Sequence, residues 1–514
     1  MTEVLLAHPF FLKNDPKQVE KMRPYAPLAT LYAAAHLREH GYSVALFDAM
    51  LSAGEEEFAA ALAAQRPRFV ALYEDSFNFL NKMCLDHTRQ AACRMSRAAA
   101  AAGATVLAAG ADLSDQPLPY FESGVAYGLT GEADHTLREL LDTLSGRVRQ
   151  PVEAVAGLAL PDPAAPDGVR RTAPRSPERH PDAFPLPAWD LLDVERYRAA
   201  WRGAHGYFSL NLVTTRGCPF HCSWCAKPIW GQRYAMRSPA SVAEEMALVR
   251  RTLRPDHIWF ADDIFGLQPK WVAELGREVE ARQAAMPFTI QSRADLMTET
   301  AVAGLARAGC SEVWLGAESG SQRILDAMEK GTRVAQIGQA TRRLRAAGIR
   351  ACYFLQFGYP GETYADILAT VRLVRENLPD DIGVSVAYPL PGTRFYEQVR
   401  EQLAGQTHWR HSNDLAMLFQ GSYETPFYRR LREVLHRDLT VRQRLVRAGE
   451  PGATAGAAAG HRQDPSDLRA ELARLDADWQ ELGRLEARSR SAAPTALARP
   501  AAAAPAPDLS EPWN

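Results

Sequence analysis

The sequence predicts an α/β protein built from two parallel-sheet units in series, followed by a helical segment and an Ala/Pro-rich tail. Three observations predict this. Short apolar runs alternate with helical stretches over about residues 1–145 and again over about 206–400. The apolar runs are nearly continuous, as expected of strands covered on both faces. Between the two units lies a segment dense in Pro and charge.

The length and composition agree. The chain has 514 residues and is 46% hydrophobic, so it can bury large cores and roughly two to four domains. Its formal net charge of −2 gives no global signal of a nucleic-acid partner. No apolar run approaches the roughly 18 residues needed to span a membrane, and no signal-peptide pattern precedes the first strand. Seven cysteines, an odd number, are mostly scattered (Cys84, Cys93, Cys310, Cys352). That speaks against a disulfide framework and for a reducing cytoplasm.

In the first unit, residues 1–145, strands are expected at "EVLLAHPF", "SVALFDAM", "FVALYED", "TVLAAGAD" and "VAYGLTGE". The helix "APLATLYAAAHLREHG" stops at Gly41. A doubly wound sheet binds ligands beyond the carboxyl ends of its strands. There the chain carries "YEDS", "GADLS" and "TGEAD", with Tyr73, Ser76, Gly110, Asp112, Ser114, Gly131 and Glu132 as candidate ligand contacts. Residues 146–205 are expected to form an irregular surface linker. Residues 206–400 supply six further β/α units, "SLNLVTT", "HIWFADD", "PFTIQSR", "EVWLGAE", "ACYFLQFG" and "IGVSVAYPL". These suggest a partial (β/α)6 barrel of the TIM type, with its active site at the strand ends. Residues 401–448 look helical. Residues 449–514 are expected to be mostly disordered, one charged helix candidate ("SDLRAELARLDADWQELGRLEARSR") apart.

The densest chemical signal is "RGCPFHCSWCAKP", Arg216 to Pro228. It places Cys218, Cys222 and Cys225 in a C-x3-C-x2-C spacing directly after the first barrel strand. Three thiolates on one loop suit a soft metal centre. A structural zinc needs a fourth ligand, and His221 beside Cys222 is poorly placed to supply it. An iron–sulfur cubane tolerates three protein ligands when a substrate or cofactor takes the fourth iron.

This motif, with Trp224 just before the third Cys, resembles the signature of the radical S-adenosylmethionine (SAM) superfamily. "WFADDIF", "QSRADL", "GAESGSQRIL", "GYPGET" and "YPLPGT" resemble that superfamily's later strands. The resemblance implies a 4Fe-4S cluster with one open iron that SAM chelates. It also implies reductive cleavage of SAM to a 5′-deoxyadenosyl radical, with electrons from a donor such as flavodoxin or ferredoxin. Trp224 then belongs to the SAM site. Asp262 and Asp263 could accept hydrogen bonds from the SAM ammonium or cap a helix. Arg293 could fork onto its carboxylate or make a structural ion pair. Glu318 and Ser319 could hold ribose hydroxyls or shape a turn.

The first unit, "YAPLATLYAAAHLREHGYSVALFDA" followed by "GLTGEADHTLREL", resembles the Rossmann-like cobalamin-binding domain of one large radical SAM class. The chain lacks D-x-H-x-x-G, so bound cobalamin would take no histidine from it on cobalt. A generic nucleotide- or flavin-binding domain is the rival, although no G-x-G-x-x-G follows the first strand. The resemblance implies methyl transfer to an unactivated carbon of a small-molecule substrate. An oxidative cyclase of the same build, like that of bacteriochlorophyll synthesis, is the second reading. A non-catalytic corrinoid or cluster sensor is the third.

Overall fold

The computed structural model describes residues 2–83, 85–403, 415–449 and 465–489. Its first sheet has seven strands in the order β2-β1-β3-β4-β5-β6-β7: β1 (Val4–His8), β2 (Val44–Asp48), β3 (Phe69–Tyr73), β4 (Thr105–Ala109), β5 (Tyr127–Leu129), β6 (Leu158–Pro161) and β7 (Val169–Arg171). β1 to β5 pair in parallel, whereas β6 and β7 add antiparallel. The order 2-1-3-4-5 is doubly wound, and its topological switch point lies between β1 and β3. Strands β1 and β3 are buried along their whole length because helices cover both faces.

The segment 146–205 is not an irregular linker. It closes the sheet edge with β6 and β7 and then forms a helix, Val194–His205. The apolar "LALP" run is too short, and too closely flanked by Pro, to stand out as a strand before a paired edge exists.

The second sheet is six-stranded and wholly parallel, in the order β15-β14-β13-β12-β11-β8. It comprises β8 (Ser209–Leu212), β11 (His257–Phe260), β12 (Phe288–Ser292), β13 (Cys310–Glu318), β14 (Arg350–Phe357) and β15 (Asp381–Val386). Apart from the reversed list direction this is chain order, the pattern of an open β/α barrel. Between β8 and β11 sits a small antiparallel ribbon, β9 (Thr215–Gly217) with β10 (Tyr234–Met236).

Helix α1 (Leu28–Glu39) is buried continuously from Leu28 to Leu37. Its entry is tied to β8: Asn211 accepts from the Ala26 amide at 2.7 Å and donates back to the Ala26 carbonyl at 2.8 Å. Helix α2 (Asp134–Leu144) follows β5. One apolar core then runs through both sheets, from Val4 to Leu482.

Helices α3 (Thr425–Gly449) and α4 (Pro465–Ser489) form an antiparallel pair. Leu475 and Leu482 are buried, and Arg430 pairs with Asp478 and Glu481. The charged helix candidate in the tail is thus packed structure. Trp409, the remaining tail and Cys84 lie outside the described residues. No helix among the described residues is long and apolar enough to cross a membrane.

Candidate active site at the strand ends

The cysteine loop, residues 218–233, hangs between β9 and β10, so the ribbon fixes both of its ends. The ribbon is tight. Gly217 has φ +81°, and a Cβ there would lie 2.3 Å from the Arg233 carbonyl oxygen. Only glycine meets both conditions. Asp262, at the end of β11, anchors the loop's approach. Its carboxylate accepts from the amides of Thr214 and Thr215 at 2.7 Å each and from their hydroxyls at 2.9 and 2.8 Å. Burial pushes its pKa up to about 6 against those four hydrogen bonds.

The loop's tip is pinned from the barrel. The Ser223 amide and hydroxyl both donate to the Met328 carbonyl, and Ser223 also bonds the Tyr359 hydroxyl at 2.8 Å. Arg394 donates to the His221 carbonyl at 2.8 Å. Lys227 donates back to the Phe220 carbonyl within the loop.

Cys218, Cys222 and Cys225 carry free thiols, and the three interact electrostatically with one another. Burial pushes the thiol of Cys218 up to about 11 and that of Cys225 up to about 12. Cys93, Cys310 and Cys352 are free, buried and elsewhere in the fold. The thiols are therefore an uncrosslinked soft donor set carried on one loop, the kind of donor an iron–sulfur cluster takes from a protein. The Trp224 indole N–H is buried without a partner. Asp263 is exposed, and its charge is felt by both Cys218 and Cys225.

Like Asp262, whose carboxylate is taken by Thr214 and Thr215, three more of the residues expected at SAM are otherwise engaged. Arg293 is committed to the protein: its Nε and NH2 donate to the Asp295 carboxylate at 3.0 and 2.9 Å, and NH1 donates to the Lys330 carbonyl at 2.6 Å. It also lies 3.7 Å over the Phe220 ring, so it steadies the cysteine loop. The ion-pair alternative is the one the structure displays. Ser319 is fully buried, bonded to Thr370 at 3.2 Å and to the Ser321 amide at 3.1 Å, which is the turn role. Glu318 pairs with Lys330 at 2.8 Å and holds φ +57°, at a register shift in β13. A left-handed non-glycine residue costs on the order of 1–3 kcal/mol and concentrates at functional sites.

Lys330 is a residue the sequence reading missed. Burial disfavours its charge, but the charge and hydrogen bond of Glu318 together with the charge of Cys222 hold its pKa above the ordinary lysine value. Nothing in "MEKGT" signals this, because the helix between Glu318 and Lys330 brings them together.

Arg216, beside the first cysteine, joins the loop to the other sheet. Its guanidinium donates to Glu132 at 2.5 Å and to Asp134 at 3.0 Å, all three groups being buried. The Trp230 indole donates to the same Glu132 at 3.0 Å, and Phe77 stacks on Trp230 with ring centroids 5.2 Å apart. Nearby, a cavity between the two units is lined by Tyr73, Ser76, Glu132, Asp134, Arg216 and Trp230. Asp134 Oδ1 is buried without a partner.

The other residues expected beyond the strand ends of the first sheet hold the fold. Asp112 takes both nitrogens of an Arg89 fork and the Tyr120 hydroxyl. Gly110 makes room for Glu74, whose Oε2 lies 2.2 Å from where a Cβ would sit. The Ser114 hydroxyl returns to the Gly110 carbonyl at 2.8 Å and accepts from the Gly131 amide at 3.4 Å.

Residues 212–374 match the family described as the radical SAM superfamily. Its fold is shared with two cobalamin-dependent radical SAM enzymes. The methyltransferase TsrM from Kitasatospora setae, solved with tryptophan substrate and a SAM analogue, is 22% identical with a TM-score of 0.64 over 79% of this chain and 77% of that one. OxsB, solved with aqua-cobalamin and SAM, is 15% identical with a TM-score of 0.68 over 93% of this chain and 72% of that one. In sequence, an uncharacterized methyltransferase of Pyrococcus horikoshii is 29% identical over 54% of this chain and 59% of its own length. An anaerobic magnesium-protoporphyrin IX monomethyl ester cyclase of Rubrivivax gelatinosus is 25% identical over 53% of this chain and 49% of its own length. The chain thus spans about half the length of these curated relatives.

Proposed function

We propose that this protein is a cobalamin-dependent radical SAM methyltransferase acting on a small molecule, with Cys218, Cys222 and Cys225 holding a 4Fe-4S cluster. The observation that carries the reading is the buried Arg216–Glu132–Asp134 bridge. It fastens the cysteine loop of one sheet to the strand ends of the other, so that Arg216, Ile229 and Trp230 share one cavity with Tyr73, Ser76, Glu132 and Asp134. The free thiols fit a cluster, and the unpartnered Asp134 oxygen at the cavity is an acceptor suited to the amide groups of a corrin's rim. When bound, the cluster, SAM and cobalamin supply an electron, a radical precursor and a methyl donor.

The chain's own residues organise that chemistry. Asp262 holds the loop's entry, Ser223 its tip, and Arg293 the Phe220 ring beneath it. Trp224 and Asp263 are the side chains best placed to meet SAM. Tyr73, Ser76 and Glu132 line the cavity where the corrin would lie, and the cobalt would take no histidine from this chain. A flavodoxin- or ferredoxin-type donor supplies the electrons.

The test is anaerobic reconstitution with iron, sulfide and hydroxocobalamin, followed by dithionite and SAM. About one cluster and one corrinoid per chain, with 5′-deoxyadenosine formed, is the expected result. Full iron content in a Cys218/Cys222/Cys225→Ala chain would refute the cluster assignment, and failure to retain corrinoid would refute the cobalamin site. A product heavier by one methylene distinguishes methyl transfer from ring closure.

A further inference from the structure

The C-terminal end of α1 reads "HLREH", and His36, Glu39 and His40 therefore stand at i, i+3 and i+4 on one side of the helix. A ligand atom from each lies within 4.8 Å of the other two. We propose that these three side chains bind one divalent transition-metal ion of the zinc class, separate from the cysteine loop.

Two further observations point to a ligand. His36 is only 4% exposed, yet neither ring nitrogen has a hydrogen-bond partner. A buried imidazole without partners forfeits the hydrogen bonds water would give it, and a metal ion restores one of them. Its ring lies beside that of His40, with centroids 4.6 Å apart, so the orphaned group borders the cluster.

The second observation concerns His40. Its Nδ1 bonds the His36 backbone carbonyl at 2.8 Å. A carbonyl only accepts, so Nδ1 carries the proton and Nε2 is left as a neutral donor atom. That is how a metal-binding imidazole is oriented by its other nitrogen.

The surroundings suit a cation. The site sits at a helix C-terminus, the negative end of the helix dipole. The His135 ring from α2 stands edge-on to His36 at 5.0 Å, and its Nε2 faces Glu178 at 3.3 Å. Phe184 backs both rings, at 5.4 Å from His36 and 5.0 Å from His135. Three cations stand near, and each is already engaged: Arg138 with Asp142 at 2.7 Å, Arg216 with Glu132 and Asp134, and Arg147 with Glu3 at 3.5 Å and the His40 carbonyl at 3.0 Å.

Two imidazoles and a carboxylate form a borderline-soft N2O set, matched to Zn2+ and its neighbours rather than to Ca2+ or Mg2+. Ligand atoms around tetrahedral zinc stand about 3.4 Å apart, so 4.8 Å requires only side-chain rotation at the exposed Glu39 and His40. Three protein ligands leave the fourth position to water.

The test uses the full-length, cluster-reconstituted protein with zinc, read by metal analysis, chelator competition and zinc X-ray absorption. One zinc per chain is expected, surrounded by N and O at about 2.0–2.1 Å without sulfur at about 2.3 Å. His40→Ala and Glu39→Gln, both at exposed positions, should each weaken zinc at least tenfold with circular dichroism and iron content unchanged. His180→Ala, a second exposed histidine, should leave zinc affinity unchanged. Sulfur scattering, absence of stoichiometric zinc, or equal affinity in all three variants would overturn the proposal.

Discussion

Arg216 illustrates how much a single side chain carries here. It satisfies two buried carboxylates at once, and both belong to the other sheet. Removing one partner of a buried ion pair typically costs about 3–5 kcal/mol, because the charges left behind have lost their water. Arg216→Ala should lower the unfolding free energy by that order, read as a lower denaturation midpoint at an unchanged denaturant slope. Arg216→Lys should fall between, since an ammonium cannot span Glu132 and Asp134 in one plane. Glu74 poses a different problem. Burial, aided by the charge of Asp112, pushes its pKa up to about 8. Its folded pKa therefore lies above the ordinary carboxylate value, so the folded state binds the proton more tightly than the unfolded state. The stability this gives is complete below about pH 4.5 and is lost as pH rises through about 8. Glu74→Gln should flatten that decline, worth on the order of a few kcal/mol, in denaturation midpoints measured from pH 5 to 9.

Among the elements, the β9–β10 ribbon fixes both ends of the cysteine loop. Gly217→Ala would drive a methyl group into the Arg233 carbonyl and impose a left-handed conformation on a residue with a Cβ. Iron incorporation should drop severalfold while far-ultraviolet circular dichroism stays close to wild type. Gly231 supplies the control: its φ is +60°, but nothing lies within 4 Å of a Cβ there. Gly231→Ala should retain most of its iron. If both variants load iron equally, the ribbon is not what shapes the loop. The α3–α4 pair rests on another element-level contact. Asp438, 1% exposed, accepts from Trp479 at 2.8 Å and also pairs with Arg375 and Arg442. Asp438→Ala should release α4 first, seen as proteolytic cleavage within residues 465–489 before the barrel is cut.

The whole molecule depends on contacts between its two units. Helix α1 is buried from Leu28 to Leu37, and a chain ending at residue 145 would lack β8, which holds α1's entry, and β6 and β7, which cover β5. Such a fragment leaves an open sheet edge and an uncovered apolar helix, both aggregation hazards. Residues 1–145 alone should be poorly soluble and bind a hydrophobic dye strongly, while the full chain does neither. An equally soluble, dye-silent fragment would show that the first sheet needs no partner. Corrinoid binding is accordingly best measured on the full chain.

The sequence by itself determined the local features. Period and apolar run length located β1 to β5, β8 and β11 to β15: β1, β3 and β8 are buried at every residue and write that burial into consecutive positions, and the partly buried β2, β11 and β15 still carry short apolar runs. The C-x3-C-x2-C spacing fixed the cysteine triad, because a loop of eight residues cannot scatter its ligands far. The tertiary structure decided whatever depends on partners distant in the chain. Asp262, Arg293 and Ser319 sit at the strand ends as expected, yet their hydrogen bonds go to Thr214 and Thr215, to Asp295 and Lys330, and to Thr370 and Ser321. Sequence could place these groups at the mouth but could not say which neighbour would claim their hydrogen bonds first. Lys330 and the Arg216 bridge were invisible for the same reason: a buried charge is defined by its partner, and the partner of Arg216 lies more than eighty positions away. The edge strands β6 and β7 escaped because a short strand is stabilised by the sheet it joins, and that sheet exists only after folding.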